Sequence, residues 1–228
     1  MACRRIVLCL GAAVLLLGAG TGESFAQQGK DAGTWQARFD VAAGIGWMNA
    51  RPQDGNEQWF NNHWYNDALW YGVEGGYFFT ENLKLELGAA TASEGRFWTT
   101  ATAPRGPLES YLSSEHAHRV RTFSAGVTYQ FGRNAWVHPY IGGGVDIDRD
   151  RIRTSSWVQP AYDPRTGTYQ PPYQLPDVVT TETVARPYGM GGVKVFFNQK
   201  VFFRADVKAA GRNDLDKVLA RVLVGADF

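Results

Sequence analysis

Cysteine is almost missing from this sequence: there are two in 228 residues, Cys3 and Cys9, both at the extreme N-terminus. Long apolar runs are missing too, since the longest, Ile6 to Leu17, has 12 residues where a membrane-spanning helix needs about 20. Excess charge is absent: the formal net charge is +1, and this near-neutral balance argues against a nucleic-acid binder, whose phosphate contacts demand a basic face. Past residue 26 there is almost no helical periodicity. What the chain does have is 26 Gly with 8 Trp, 10 Tyr and 13 Phe, too many aromatics for a disordered segment. Its mean hydropathy of −0.29 reads as that of a soluble domain. A transmembrane β-barrel, however, requires no continuous apolar stretch.

Residues 1–26 carry the marks of a cleaved export signal. Arg4 and Arg5 supply the positive start, Ile6 to Leu17 the apolar middle, and Ser24-Phe25-Ala26 a small-x-small cleavage site. Both cysteines leave with this segment, so the mature chain is expected to hold no disulfide and no thiolate metal site. Arg4, Arg5 and Glu23 leave as well, which makes the mature chain formally neutral. Residues 27–34 form a short periplasmic N-terminal segment, and residues 35–228 one domain.

That domain alternates. Trp35, Ala37, Phe39, Val41, Ala43, Ile45 and Trp47 occupy one face of a first segment, and Arg38 and Asp40 lie on the other. Seven more segments follow: Leu69 to Phe79; Leu83 to Ala90, extended toward Phe97; Thr122 to Phe131; Val137 to Asp148; Met190 to Phe197; Val201 to Ala209; and Val218 to Phe228. Eight strands of about ten residues each can cross a membrane at a tilt. Connections after the second, fourth and sixth are turns of about three residues, whereas those after the first, third and fifth run to about 20, 20 and 34, as in a barrel whose rims face different compartments.

Alternation alone fits a soluble barrel of the lipocalin or streptavidin type, with an apolar cavity, or an outer-membrane barrel, with an apolar coat. Three features favour lipid outside. Aromatics gather where strands meet the short turns (Tyr77, Phe79, Phe131, Trp136, Phe197, Phe203), and Trp35 sits at the matching end of the first strand. The polar face carries balanced charge: Arg38, Lys84, Arg96, Lys194, Arg204, Lys208 and Arg221 against Asp40, Glu74, Glu86, Glu94, Asp146, Asp148, Asp206 and Asp227. Finally, the chain stops on its apolar face at Phe228.

The last strand, VLARVLVGADF, resembles the terminal strand that outer-membrane barrels present to their insertion machinery, and HPYIGGGVDI (residues 138–147) is similar to the glycine-rich strand of small OmpA-like, OmpX and opacity-type barrels. The resemblance implies an all-β fold, a closed eight-stranded antiparallel transmembrane up-and-down β-barrel in the bacterial outer membrane. It also implies Phe228 as an insertion signal, with outer-membrane lipid, lipopolysaccharide and the insertion machinery as partners. A monomer is expected. The resemblance to OmpA-like barrels does not extend to a peptidoglycan-binding domain, so tethering to the cell wall is not implied. HPYIGGGV also matches RPYGMGGV (residues 186–193) as P-Y-x-x-G-G-V, by convergence on the small and aromatic residues that barrel strands use or, alternatively, by duplication of a hairpin; Pro139 and Pro187 are expected at strand starts or bulges, where a missing N–H is tolerated.

Candidate chemistry is sparse. The inward charges most simply fill the lumen as ion pairs, because buried charges must be paired; a polar pore needs a continuous water path through them. Asp146-x-Asp148-x-Asp150 has EF-hand spacing without the turn glycine or distal Glu, and His116-x-His118 lacks a third metal ligand. Ser113, Ser114, Glu115 and His116 supply hydroxyl, acid and imidazole, but no motif converges them into a triad. No catalytic residue, metal ligand or cofactor is assigned. The first long loop holds Trp59, Phe60, Trp64 and Tyr65 beside Asn and Asp, and the third holds Tyr162, Tyr169 and Tyr173 among prolines; both are candidates for an extracellular ligand, with Trp59, Trp64 and Trp70 alternatively forming an outer interfacial belt. The expected role is structural or interactive, the alternative a narrow passive porin-like channel, and the third reading a lipid A-modifying enzyme.

Overall fold

In the computed structural model, residues 38–51, 64–105, 108–131, 136–159, 162–163, 165, 167–169, 171–198 and 200–228 are described. The expected leader, residues 27–34, Trp35, Trp59, Phe60 and the turn Gly132-Arg133-Asn134 lie outside them. Alternating side chains become strands: β1 (Phe39–Ala50), β2 (Tyr65–Phe78), β3 (Leu83–Ala92), β4 (Gly95–Arg105), β5 (Leu108–Gln130), β6 (Val137–Gln159), β7 (Tyr162–Asp163), β8 (Thr168–Tyr169), β9 (Tyr173–Gln174), β10 (Val178–Phe196), β11 (Val201–Ala210) and β12 (Lys217–Asp227). Eight of them close a ring in the order β1-β2-β3-β5-β6-β10-β11-β12, and every neighbouring pair is antiparallel. The seam is fixed at its end, where the Phe228 N–H donates to the Phe39 carbonyl at 2.7 Å and the Arg38 N–H to the Phe228 carbonyl at 2.8 Å.

The short turns are built by local side-chain chemistry. Thr80 Oγ1 accepts from the Leu83 N–H at 3.0 Å, and Asn198 Oδ1 accepts from the N–H groups of Lys200 and Val201 at 2.9 and 2.7 Å. At the opposite rim the strands run further than the alternation predicts. β5 and β6 have 23 residues each and β10 has 19, so part of what reads as long loop is paired strand. Above Asp148 these strands carry Arg, Thr and Ser on either face, which leaves no apolar stripe to read.

The sheet faces divide as an outer-membrane barrel requires. Val41, Ile45, Val73 and Ile141 are each more than half exposed, while Asp146 and Asp148 are wholly buried. The apolar face therefore points out and the charged face in, the reverse of a lipocalin. Along β6 the outward face is apolar from Val137 to Ile147, a rise of about 26 Å at about 3.4 Å per residue and a tilt of about 40°. That matches the apolar band of a transmembrane barrel.

One extra residue changes the third crossing. Thr91 pairs with Arg121 but Gly95 with His118, so β3 and β4 are one strand broken by a bulge at Ser93-Glu94. A one-residue shift turns every later side chain to the other face. Phe97 consequently points inward, and Arg96, expected in the lumen, is exposed and pairs with Glu94 and Glu115 at 3.5 and 3.3 Å. Arg38 is also displaced from its expected place: it is exposed, one residue ahead of β1.

Pro139 is the third residue of β6, near the strand start as expected, but Pro187 stands inside β10 opposite Val145 with no register shift. Its carbonyl accepts from the Gly211 N–H at 3.1 Å, one residue past the end of β11. The missing donor thus falls where the neighbouring strand has already ended. The P-Y-x-x-G-G-V repeats are neighbours and run antiparallel, so Tyr140 lies opposite Gly192 and Tyr188 opposite Gly144. Each motif supplies the glycine beside the other's inward tyrosine.

Candidate functional site

Sorting side chains by strand face brings the lumen charges together as expected, with some changes of membership. The carboxylates are Asp40, Glu74, Glu86, Asp146, Asp148, Asp150, Asp206 and Asp227, and the cations Lys84, Arg186, Lys194, Arg204, Lys208, Lys217 and Arg221, all buried. Arg186 and Lys217 occupy the roles expected of Arg38 and Arg96, and Asp150 that of Glu94. Arg186 was missed because it precedes the alternating part of its segment, and Lys217 because it reads as loop.

The network is layered along the barrel axis. Nearest the short turns, Lys194 pairs with Asp227 at 2.7 Å and Asp40 at 3.5 Å, and Lys84 with Asp40 at 2.8 Å and Glu86 at 3.1 Å. The Lys194 ammonium also stands 3.8 Å from the Phe202 ring centre and 4.8 Å from that of Phe196, a cation–π contact in a desolvated site. In the middle, Arg204 reaches Glu86 at 2.8 Å, Asp206 at 2.9 Å and Glu74 at 3.2 Å; Arg221 bridges Asp206 at 2.5 Å and donates to Glu74. Both guanidiniums lie over aromatic faces, Arg204 over Tyr140 and Arg221 over Trp70. Trp70 is therefore a lumen residue and not part of an outer belt. Higher up, Lys208 and Lys217 hold Asp146 at 2.5 and 2.7 Å, Lys217 also holds Asp148 at 2.7 Å, and Arg186 spans Asp148 and Asp150 at 2.8 and 2.7 Å.

Glycines decide how this filling fits. A Cβ on Gly126 would come within 2.2 Å of the Tyr188 hydroxyl oxygen, so Tyr188 can lie across the lumen only where β5 has no side chain. Lys208 then sits 3.7 Å from the centre of the Tyr188 ring.

The residues considered for chemistry serve this packing. Asp146 and Asp148 hold lysines, and Asp150 accepts from His118 at 3.1 Å. His116 uses Nδ1 toward Thr154 and Nε2 toward Thr99, both at 3.0 Å, and Ser114 bonds Ser156 at 2.8 Å. Neighbouring hydroxyl and imidazole are thus engaged with separate partners. Among the described residues no three His, Cys, Asp or Glu side chains come together as a metal site.

The loop candidates divide. Tyr65 begins β2 and is buried, its ring 4.8 Å from those of Phe97 and His118, so it caps the lumen and is not part of a loop surface. Trp64 is half-buried over the Arg51 guanidinium. Tyr162 and Tyr169 pair in the small β7–β8 hairpin, and Tyr173 is exposed on β9, which joins the edge of β6. On the upper wall Trp98 and Trp157 stack at 5.7 Å, with Trp98 exposed.

At the short-turn rim, Phe79, Phe131, Trp136 and Phe197 are exposed, and Tyr77 and Phe203 half-buried. Tyr77 lies 5.1 Å from both Phe39 and Phe79, continuing the ring of aromatics around the first hairpin. Phe228 is exposed beside Phe39 on this same rim.

The family model for the outer membrane protein beta-barrel domain matches residues 12–228. Among solved structures, the N-terminal β-barrel domain of Pseudomonas aeruginosa OprF aligns at 16% identity, covering 85% of this chain and 100% of that one, with a TM-score of 0.44. Neisserial surface protein A aligns at 14% identity over 83% and 97% of the two chains with a TM-score of 0.47, and the Escherichia coli outer membrane protein W at 17% over 84% and 98% with 0.34. No curated protein matches in sequence.

Proposed function

The chain belongs to the outer membrane protein β-barrel domain family, and from that premise we propose that it is a non-conducting, non-enzymatic barrel that acts as a structural and surface-contact element of the outer membrane. One observation carries this reading. The lumen side chains form two runs of ion pairs, one from Lys194 near the short turns through Lys84 and Arg204 to Arg221, and one above it from Lys208 through Lys217 to Arg186 and Asp150, and Lys194, Thr128, Asp146 and Asp148 are at most 1% accessible. A water path would wet these groups. Moving an ion through the lumen would require breaking several buried pairs at once, each costing several kcal/mol.

The upper wall supports the contact role. β5, β6 and β10 continue past the apolar band, and the stacked Trp98–Trp157 pair and Tyr173 give that extension the flat aromatic area that binding surfaces favour. Purified protein in planar bilayers is expected to give no discrete conductance steps above the protein-free bilayer. Steady ohmic steps would overturn the sealed lumen. A change in lipid A acyl content in cells overproducing the protein, read by mass spectrometry, would overturn the non-enzymatic reading.

A further inference from the structure

Directly above the apolar band the outward face of β5 and β6 changes from hydrocarbon to arginine. On β5 Phe123 is followed upward by Arg121 and Arg119; on β6 Ile147 is followed by Arg149, Arg151 and Arg153, and all five arginines are exposed. The pairing sets like against like. Arg121 lies opposite Arg149 and Arg119 opposite Arg151, while Arg153 and Arg96 lie on either side of Ala117. Like charges directly opposite on neighbouring strands are destabilising.

Among the described residues little offsets them. Glu94 reaches Arg96 and Arg119 at 3.5 Å and Arg153 at 3.8 Å, and Glu115 reaches Arg96 at 3.3 Å. Arg121, Arg149 and Arg151 have no ion pair among the described residues. The innermost pair also borders an apolar feature. A shallow, open apolar groove on the lipid face is lined by Ala43, Ile45, Tyr71, Val73 and Ala89 and reaches Arg121. Thr91 links the two in register, opposite Tyr71 on one side and Arg121 on the other.

We propose that the Arg121–Arg149 pair, extended by Arg119 and Arg151, binds the phosphate groups of a phosphorylated outer-leaflet glycolipid of the lipid A class, with an acyl chain seated in the adjoining groove. Guanidinium forks match phosphate bidentately, and two forks set side by side match a ligand of more than one negative charge. The location selects the source of the phosphate. A soluble polyanion has no use for a groove below the band edge, whereas an amphiphile presents phosphate and hydrocarbon at just this spacing. The site lies on the lipid side of the wall, so it is independent of whatever the strand extensions contact above it.

The test uses the full mature chain folded in nanodiscs of zwitterionic lipid, titrated with bisphosphorylated lipid A, dephosphorylated lipid A, inorganic pyrophosphate and heparin. The double variant Arg121→Gln/Arg149→Gln is expected to lose about tenfold or more in affinity for bisphosphorylated lipid A. Arg38→Gln, with a charge change at the opposite rim, is expected to bind as the parent does. Unboiled gel mobility reports folding; should the first pair fail to fold, Arg119→Gln/Arg151→Gln gives the same reading with a smaller loss. Undiminished lipid A binding by the folded variant would refute the site, as would equal binding of dephosphorylated lipid A by the parent. Pyrophosphate binding as tight as lipid A would reduce it to a soluble-anion site. Loss of heparin binding alone would mark a glycan surface instead.

Discussion

Replacing Arg204 with methionine isolates the electrostatic contribution of the lumen network. The methionine keeps most of the stem volume, so the cavity left is small and the charge is what is removed. Arg204 is buried and stands 2.8 to 3.2 Å from Glu86, Asp206 and Glu74, and it also donates to Tyr140. Removing one partner of a buried ion pair costs about 3–5 kcal/mol, and one cation shared by three carboxylates places the loss at the top of that range, about 5 kcal/mol. Glu86 retains Lys84 at 3.1 Å and Thr128 at 3.1 Å, so neutralising it as Glu86→Gln should restore about 2 kcal/mol. The double variant Arg204→Met/Glu86→Gln is then expected to fall short of the parent by about 3 kcal/mol. Urea unfolding of the protein in lipid vesicles, followed by tryptophan fluorescence and checked by gel mobility before and after boiling, measures both. A single-variant loss below about 1 kcal/mol, or losses that simply add, would refute the idea that these charges act as one desolvated unit.

Two further predictions test the packing and the lipid face. Gly126→Val should lower the urea midpoint by an amount equivalent to about 1–3 kcal/mol, because its Cβ would overlap the Tyr188 hydroxyl; a midpoint equal to the parent's would mean that Tyr188 does not occupy this place. Val73→Lys changes an exposed residue near the middle of the apolar band and would be harmless on a water-soluble barrel, yet here it should cost about 2–4 kcal/mol in vesicles. An unchanged free energy of unfolding would argue that this face meets water.

Much of the fold was legible because a strand reports its two faces directly. Phe39, Val41, Ile45 and Trp47 alternate with Asp40 and Met48, and the structure exposes the first set and buries the second. Legibility ended where that rule ended. The Ser93-Glu94 bulge leaves no mark in composition, and it reversed the placement of Arg96. Tyr65 looked like loop because Trp, Asn and Asp surround it, yet the β2 ladder extends to include it. The upper halves of β5 and β6 are paired strand with charge and hydroxyl on both faces, a pattern that alternation cannot distinguish from a polar loop.

The sequence by itself determined the strands and which residues share a face, because both follow from side-chain parity within single strands, and the sign of the faces followed from the aromatics at the short turns, the charged polar face and the aromatic end of the last strand. The tertiary structure decided who meets whom. Arg204 finds Glu86 across 118 residues and Arg221 finds Glu74 across 147, distances over which no local pattern carries information. The same holds for the outward arginines. Each is unremarkable within its own strand, and only the β5–β6 register sets Arg121 against Arg149 at the edge of the apolar band.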